Sequence, residues 1–279
     1  MVAVSSIAHG GEQRGIQTLL RRELIVDETG ELVHVPVISG NHLRGRLRRV
    51  GEELLREVLA YEGELSPAAA HLLRGGGALV RSVGEPISGS RLREARELVP
   101  QVGVFGGAGA GRIIDGALQV GKVLPVLAET SHLTGVASWV SAFNATQLEA
   151  FSAHDETESH ELAGVIAPAG VDPATGLGDE AGGGGEGRLM RYQVETFPAG
   201  TRFRSWVRLR YPSPVQLGFF VDVLRTWADR AVLGGRIGSG HGQVDVDVIG
   251  DLAAGGEVDW REAVAARRDE VLAMVEALA

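Results

Sequence analysis

The sequence predicts an α+β fold, and three observations carry that prediction. Strand–helix–strand occurs twice along the chain, each helix has apolar residues at helical spacing, and an acidic block separates the two units. With 279 residues there is enough chain for one large domain or two small ones. The apolar fraction is 44%, and no apolar run approaches the roughly 18 residues of a membrane span. MVAVSSIAHGG lacks the charged start of a signal peptide, so the expected location is the cytoplasm. Absence of cysteine excludes disulfides, thiolate zinc sites and cysteine nucleophiles.

VAVSSIAHG reads as an opening strand and GGEQRGIQT as a glycine-bearing loop. LIV–DETG–ELVHVPV carries the signature of a hairpin, two β-rich runs around a turn. Leu43, Leu47, Val50 and Leu54 then form the apolar stripe of a helix from about Gly40 to Tyr61. Residues 62–104 read as a small helical insertion, and GRIIDGALQVGKVLPVLA as strand material. AGGGGEG, 181–187, reads as a mobile loop tip, because it has too little to bury to offset its ordering entropy. TRFRSWVRLR, 201–210, alternates: Phe203, Ser205, Val207 and Leu209 share one face, and four arginines surround Trp206 on the other. VQLGFFVDVLRTWADRAVL predicts an amphipathic helix through Leu217, Phe220, Leu224 and Trp227. The loop RIGSGHG, a strand VDVDV and a helix over 259–278 with Asp259 as N-cap complete the order. Two strand–helix–strand units with an insert between them is the sequence order of a ferredoxin-like split βαβ fold.

Charge is unevenly placed. The chain carries −9 overall, and residues 127–196 alone hold 2 basic against 11 acidic side chains, the whole excess. The flanks are near neutral, so the net charge does not exclude a polyanionic partner. Lys122 is the sole lysine among 27 basic residues. A GC-rich genome and a need for planar phosphate-binding forks both account for that bias.

VISGNHLRGRLRRV, 37–50, packs four arginines into the start of the first long helix. Helix starts attract anions. At about 100° per residue, Arg44 and Arg48 fall on one flank of the apolar stripe with Asn41, and Arg46 and Arg49 on the other. Either these rows reach a passing polyanion backbone, or they are solvated and paired with Glu52, Glu53 and Glu57. The arginine face of 201–210 has the same two readings, a solvated outer face or an RNA-facing surface. LGGRIGSGHGQV, 233–244, lacks the Gly-Lys-Ser/Thr of a phosphate loop, and in FGGAGAGR Arg112 occupies the third glycine of a dinucleotide fingerprint. No nucleotide cofactor is expected. Five glycines in nine residues instead suggest a backbone that a ligand approaches closely, with Arg236, Ser239 and His241 as polar contacts, or else a flexible surface loop. His154 and His160 lack a helical pair spacing and a third ligand, so no metal site is expected.

PVISGNHLRGRLRR, FGG…RIIDGALQV, ETFPAGTRFRSWVRLR and LGGRIGSGHGQVDV occur in that order. Together they resemble the RAMP superfamily of CRISPR-associated proteins, more narrowly the backbone subunits that polymerise along the guide RNA in type III and type IV effector complexes. The resemblance implies an RRM-like, ferredoxin-type palm, helical fingers over 62–104, and a β-hairpin thumb supplied by the acidic insert, 127–196. It implies head-to-tail copies of the subunit, companion subunits, a complementary target strand and a role in antiviral defence. It places guide contacts on Gly40, Asn41, His42, Arg44 and Arg48, and on Gly235, Arg236, Gly238, Ser239, Gly240 and His241.

One departure bears on catalysis. Target-cutting members carry an aspartate in the first loop, and Gln17 stands at the nearest position here. An amide neither takes a proton nor holds a metal as a carboxylate does. The expectation is a non-catalytic guide-coating subunit without cofactor or metal, nearer the type IV branch. The rivals are an endoribonuclease using His9, Glu12 or His42, and a protein scaffold without nucleic acid. If the acidic insert steers stacking onto an arginine-bearing face of the next copy, reversing the charges of Asp155, Glu156 and Glu158 weakens assembly at low salt. Unchanged particle size in light scattering overturns that role.

Overall fold

The computed structural model describes residues 1–77, 86–153, 190–250 and 258–279. Short strands open the chain: β1 (Val2–Ala3), β2 (Ile7–Ala8), the hairpin β3 (Gly10–Arg14) and β4 (Gln17–Leu20), and the hairpin β5 (Arg22–Val26) and β6 (Leu32–Pro36). Helices α1 (Gly40–Leu59), α2 (Pro67–Gly75), α3 (Gly89–Leu98) and α4 (Pro100–Phe105) follow. Then come β7 (Gly107–Gly109), β8 (Arg112–Ile114), β9 (Leu118–Val120), β10 (Leu124–Pro125) and α5 (Ser131–Thr134). The acidic region contributes β11 (Gln147–Ala153) and β12 (Met190–Phe197). The order ends with β13 (Phe203–Arg204), β14 (Val207–Leu209), α6 (Pro214–Arg230), β15 (Val244–Asp245), α7 (Trp260–Ala265) and α8 (Arg268–Leu278). The fold is α+β, as the sequence predicts.

Helix α1 is the centre of the molecule. Ser39 caps it by accepting the His42 amide at 3.2 Å. The predicted stripe of Leu43, Leu47, Val50 and Leu54 is buried, joined by Leu55 and Leu59. The helix stops at Ala60, which turns left-handed, and the Tyr61 hydroxyl folds back to donate to the Glu52 carboxylate at 3.0 Å. A reciprocal cap between Ser213 and Gln216 starts α6. Its residues Phe219 and Phe220 pack towards α1 and α4, with Phe105 meeting Phe220 edge-on at 6.5 Å.

Beneath these helices, β1 pairs with β15 on one side and bridges Arg202 on the other, while β13 pairs with β10. All these neighbours are antiparallel, in the order β15, β1, β13, β10. A second sheet runs β11, β12, β4, β3, with β2 also against β12 and β4 parallel to it. Buried Glu195 knots that sheet to its surroundings. It ion-pairs with Arg22 and accepts from the Leu20 amide at 2.8 Å and the Thr146 hydroxyl at 2.7 Å.

Several local expectations are corrected. The opening strand is two short strands. GGEQRGIQT is a hairpin, turned at Gly15 with φ 56° and held by the pairing of β4 with β12, a partner far along the chain. The strand expected over 201–210 breaks at Ser205 and Trp206, opposite Gly121, where β9 and β10 break as well. VDVDV pairs only through Val244 and Asp245. The last helix splits at Ala266 and Arg267, so that Arg268 Nε donates to the Leu59 carbonyl at 2.7 Å and docks α8 on the end of α1. Asp259 does cap the first half, accepting the Arg261 amide at 2.8 Å. The expected loop tip at 181–187 lies outside the described residues.

Arg48 is the main correction. Its guanidinium does not flank the core but is inside it, 6% exposed. It donates to the carbonyls of Leu72 (3.1 Å), Leu73 (3.4 Å), Phe105 (2.7 Å) and Gly106 (2.6 Å), the ends of α2 and α4. Carbonyls at helix C-termini have no partner within the helix and carry partial negative charge, so a fixed cation suits them. Arg48→Ala leaves those acceptors unsatisfied and is expected to lower unfolding free energy by about 3 kcal/mol. Chemical denaturation reads the loss directly.

Candidate nucleic-acid interface

Both sequence motifs meet at the mouth of α1. Gly40 lets the helix start approach the β9–β10 turn, since a Cβ there would lie 2.9 Å from the Gly121 carbonyl oxygen. Asn41 and Arg49 are exposed; Arg44 and Arg46 are half-buried. Arg44 donates to the carbonyls of Leu118 (2.6 Å) and Phe105 (2.8 Å). Arg46 reaches the glycine loop and donates to the Gly234 carbonyl.

His42 completes that contact, its Nε2 accepting the Gly234 amide at 2.8 Å. Burial, then the neighbouring His9, Arg46 and Arg49, pushes its pKa down to about 4, so the ring is neutral and able to accept. His9 lies edge-on to it at 4.8 Å and accepts the Ser39 amide at 3.3 Å; burial and Arg21 lower its pKa too. The latch therefore joins the end of β2, the helix cap and the glycine loop.

The loop is tied at both ends. Gly235 donates to the Ala8 carbonyl at 2.7 Å, and Gly242 to the Ser6 carbonyl at 2.8 Å. At Gly234, φ is +83° and a Cβ would meet the Ala8 oxygen at 2.6 Å, so only glycine fits. Between these ties Gly238, Ser239 and Gly240 are exposed. Arg236, left-handed at φ 56°, lies over the rings of Tyr192 (4.9 Å) and Phe151 (5.6 Å), which stack on each other at 5.4 Å. His241, expected as a loop contact, is instead 4% exposed, with Nε2 3.0 Å from Glu149. Burial works to raise the Glu149 pKa, but hydrogen bonds from Thr196, Ser6, Gln147 and His241 outweigh it and hold the group at about 2.

The structure thus brings Gly40, Asn41, His42 and Arg44 to one mouth and clamps it to Gly235 and Arg236 through Gly234. It takes Arg48 and His241 inside. An open groove of about 650 Å³ runs beside α1, lined by Asn41, Arg44, Gly45, Arg49, Arg74 and, across it, the β7–β8 hairpin. Among the described residues none of Arg44, Arg46, Arg48 and Arg49 has a carboxylate partner. Two of the three acids expected to pair with them are engaged elsewhere, Glu52 with Arg74 and Tyr61 and Glu53 with Arg74 and Arg230. Burial, followed by repulsion from Arg44, lowers the Arg48 pKa to about 10, so it stays charged at neutral pH.

A solved structure described as a "Type IV-B CRISPR Complex" contains a chain that is 32% identical, with 93% of each chain covered and a TM-score of 0.60. The chain belongs to the CRISPR-associated RAMP backbone subunits. This subunit also aligns with Csc2 of Thermofilum pendens at 16% identity over 99% of its own length and 78% of the other, with a TM-score of 0.42, too low to carry structural detail. No protein-family model matches the sequence, and no curated protein does.

Gln17, at the position compared with the family aspartate, begins β4 and donates its amide to Gln193 Oε1 at 2.6 Å. No cluster of three or more metal-ligating side chains occurs among the described residues, and His154 and His160 lie outside them. Arg74, Phe151, Tyr192 and Glu149 were not singled out by sequence. A paired aromatic across β11 and β12 is visible only once the register is known, and Glu149 carries no motif at all. The latch predicts a pH dependence. His42 binds a proton more readily unfolded (6.5) than folded (about 4), so its contribution is whole above 6.5 and declines as pH falls towards 4. Urea unfolding at stepped pH should show that decline, and His42→Gln should shrink it; an identical slope in the variant overturns the latch.

Proposed function

We propose that this protein is an RNA-binding backbone subunit that polymerises along a CRISPR guide RNA. It grips the phosphates and leaves the bases free to pair with a target strand. The observation that carries this reading is the group of four arginines with no carboxylate partner at the latched mouth of α1. Cations removed from water normally have an anionic partner. Here backbone carbonyls hold the guanidiniums of Arg44, Arg46 and Arg48 in place, Arg49 is exposed, and their charge remains for a polyanion.

The antiparallel order β15, β1, β13, β10, with α1 and α6 as its crossovers, supports a ferredoxin-like palm. Helices α2 to α4 suit the finger insertion, and the paired legs β11 and β12 suit the base of a thumb. Copies would stack head to tail as a helical filament, beside the other subunits of a type IV effector complex in the cytoplasm, as part of antiviral defence. No helix of the described residues is long and apolar enough to cross a membrane, which fits that setting.

The subunit is, on this reading, non-catalytic. The residues an endoribonuclease would use are committed. His9 and His42 accept backbone amides, Glu12 is paired with Arg14, and the Gln17 amide is bonded to Gln193.

Nuclease digestion of the copurified complex tests the reading. Protected fragments at a constant increment are expected; purified protein free of nucleic acid and indifferent to added RNA overturns it. Discrete cleavage products from labelled RNA would instead establish the nuclease. Arg49→Glu, at an exposed position, should weaken RNA binding about tenfold at low salt and reduce the salt slope by about 1. Arg44→Glu with Arg48→Glu is not a clean test of RNA binding, because Arg48 is a core residue.

A further inference from the structure

Gly45 is the middle residue of the row Asn41, Gly45, Arg49 on α1, between two turns of arginine, and packing does not explain it. Glycine inside a helix is unfavourable relative to alanine. Elsewhere in α1 the glycines have a reason in the packing: a Cβ on Gly40 would lie 2.9 Å from the Gly121 oxygen, and one on Gly51 would lie 2.5 Å from Gln101. At Gly45 a Cβ would meet nothing within 4 Å, and its φ is ordinary. Yet the position is not plain surface, because it is half-buried on the floor of the 650 Å³ groove. Arg44 and Arg49 flank it, and Arg74 and Ile113, the latter 75% exposed, line the groove around it.

We infer that a single polynucleotide strand lies in this groove with its sugar-phosphate backbone directly over Gly45, whose missing side chain sets how closely the strand approaches the helix. The inference rests on the guide-binding reading and adds the track the strand takes. Arg49 meets a phosphate as the strand crosses α1. Arg44 and Arg48, fixed on carbonyls, attract it through their field rather than by direct contact. Ile113 offers an apolar face to a sugar or base from the opposite wall. The groove is open rather than closed over a phosphate cluster, and its arginines are strung along it, which suits a chain of phosphates better than a mononucleotide.

Gly45→Ala and Gly45→Leu in the full-length protein test it, with fluorescence anisotropy on a single-stranded oligouridylate and thermal melting in parallel. A Cβ at Gly45 meets nothing within 4 Å, so the melting temperature of the alanine variant should hold or rise, and melting reads whether the leucine variant is as stable. Affinity should fall about tenfold for alanine and further for leucine, a tenfold step being 1.4 kcal/mol. Wild-type affinity in a stable Gly45→Leu variant overturns the inference and leaves guide binding standing. A wild-type protein that binds no RNA overturns both. Equal affinity for a duplex of the same length also overturns it, because the groove is assigned to one strand.

Discussion

The rest of the structure depends on one buried guanidinium. Arg48 reaches from the middle of α1 to the terminal carbonyls of α2 and α4, and the buried Gln101 amide of α4 supports it by donating to the Arg48 and Leu73 carbonyls, each at 2.8 Å. Those helix ends form part of the far wall of the groove beside α1, so the group that spaces the wall also charges it. Its neighbour Arg44 shares the Phe105 carbonyl with it, which places two cations against one acceptor. Helix-end dipoles offset part of that charge. They do not cancel two full positive charges, and the surplus is directed into the groove.

An acidic chain can therefore present a cationic surface without contradiction. The described carboxylates of the acidic region are turned inwards. Glu195 is locked to Arg22 and two hydrogen-bond donors, Glu149 is held by Thr196, Gln147 and His241, and Glu129 accepts from Ser141 and the Ala142 amide. Their charge goes into holding the hairpin base and its neighbours in shape. The field at the mouth of α1 is set by groups within a Debye length of about 10 Å, and there the cations have no carboxylate partner.

What the sequence made legible follows from how local each signal is. The α1 stripe, the DETG hairpin, the amphipathic helix α6 and the Asp259 cap depend on neighbours a few residues away, and each stands where the spacing places it. The arginine-and-indole face at 201–210 also survives: Trp206 remains 56% exposed beside Arg208, although the strand itself is broken. Signals failed where a distant partner decides. The pairing of β4 with β12, the docking of Arg268 on the end of α1 and the carbonyl cage around Arg48 all need contacts from far along the chain. Helical-wheel geometry put Arg48 beside the stripe rather than in the solvent, but it could not say that two helix ends would close over it. The counterions were misjudged for the same reason, since Glu52 and Glu53 find Arg74 and Arg230 instead.

The two motifs share a design consequence that neither has alone. A glycine-rich loop left free would have to be ordered on binding, at a cost that grows with each residue fixed. Here His42, Arg46, Ala8, Ser6 and Glu149 fix the loop's ends before any ligand arrives, and the tip from Arg236 to Gly240 is left exposed. The latch requires a neutral His42, and the arginines around it are among the groups that keep it neutral. On the proposed reading, the cations that would attract a polyanion thus also help hold the imidazole in the state that positions the loop, so that affinity and preorganisation would come from the same charges.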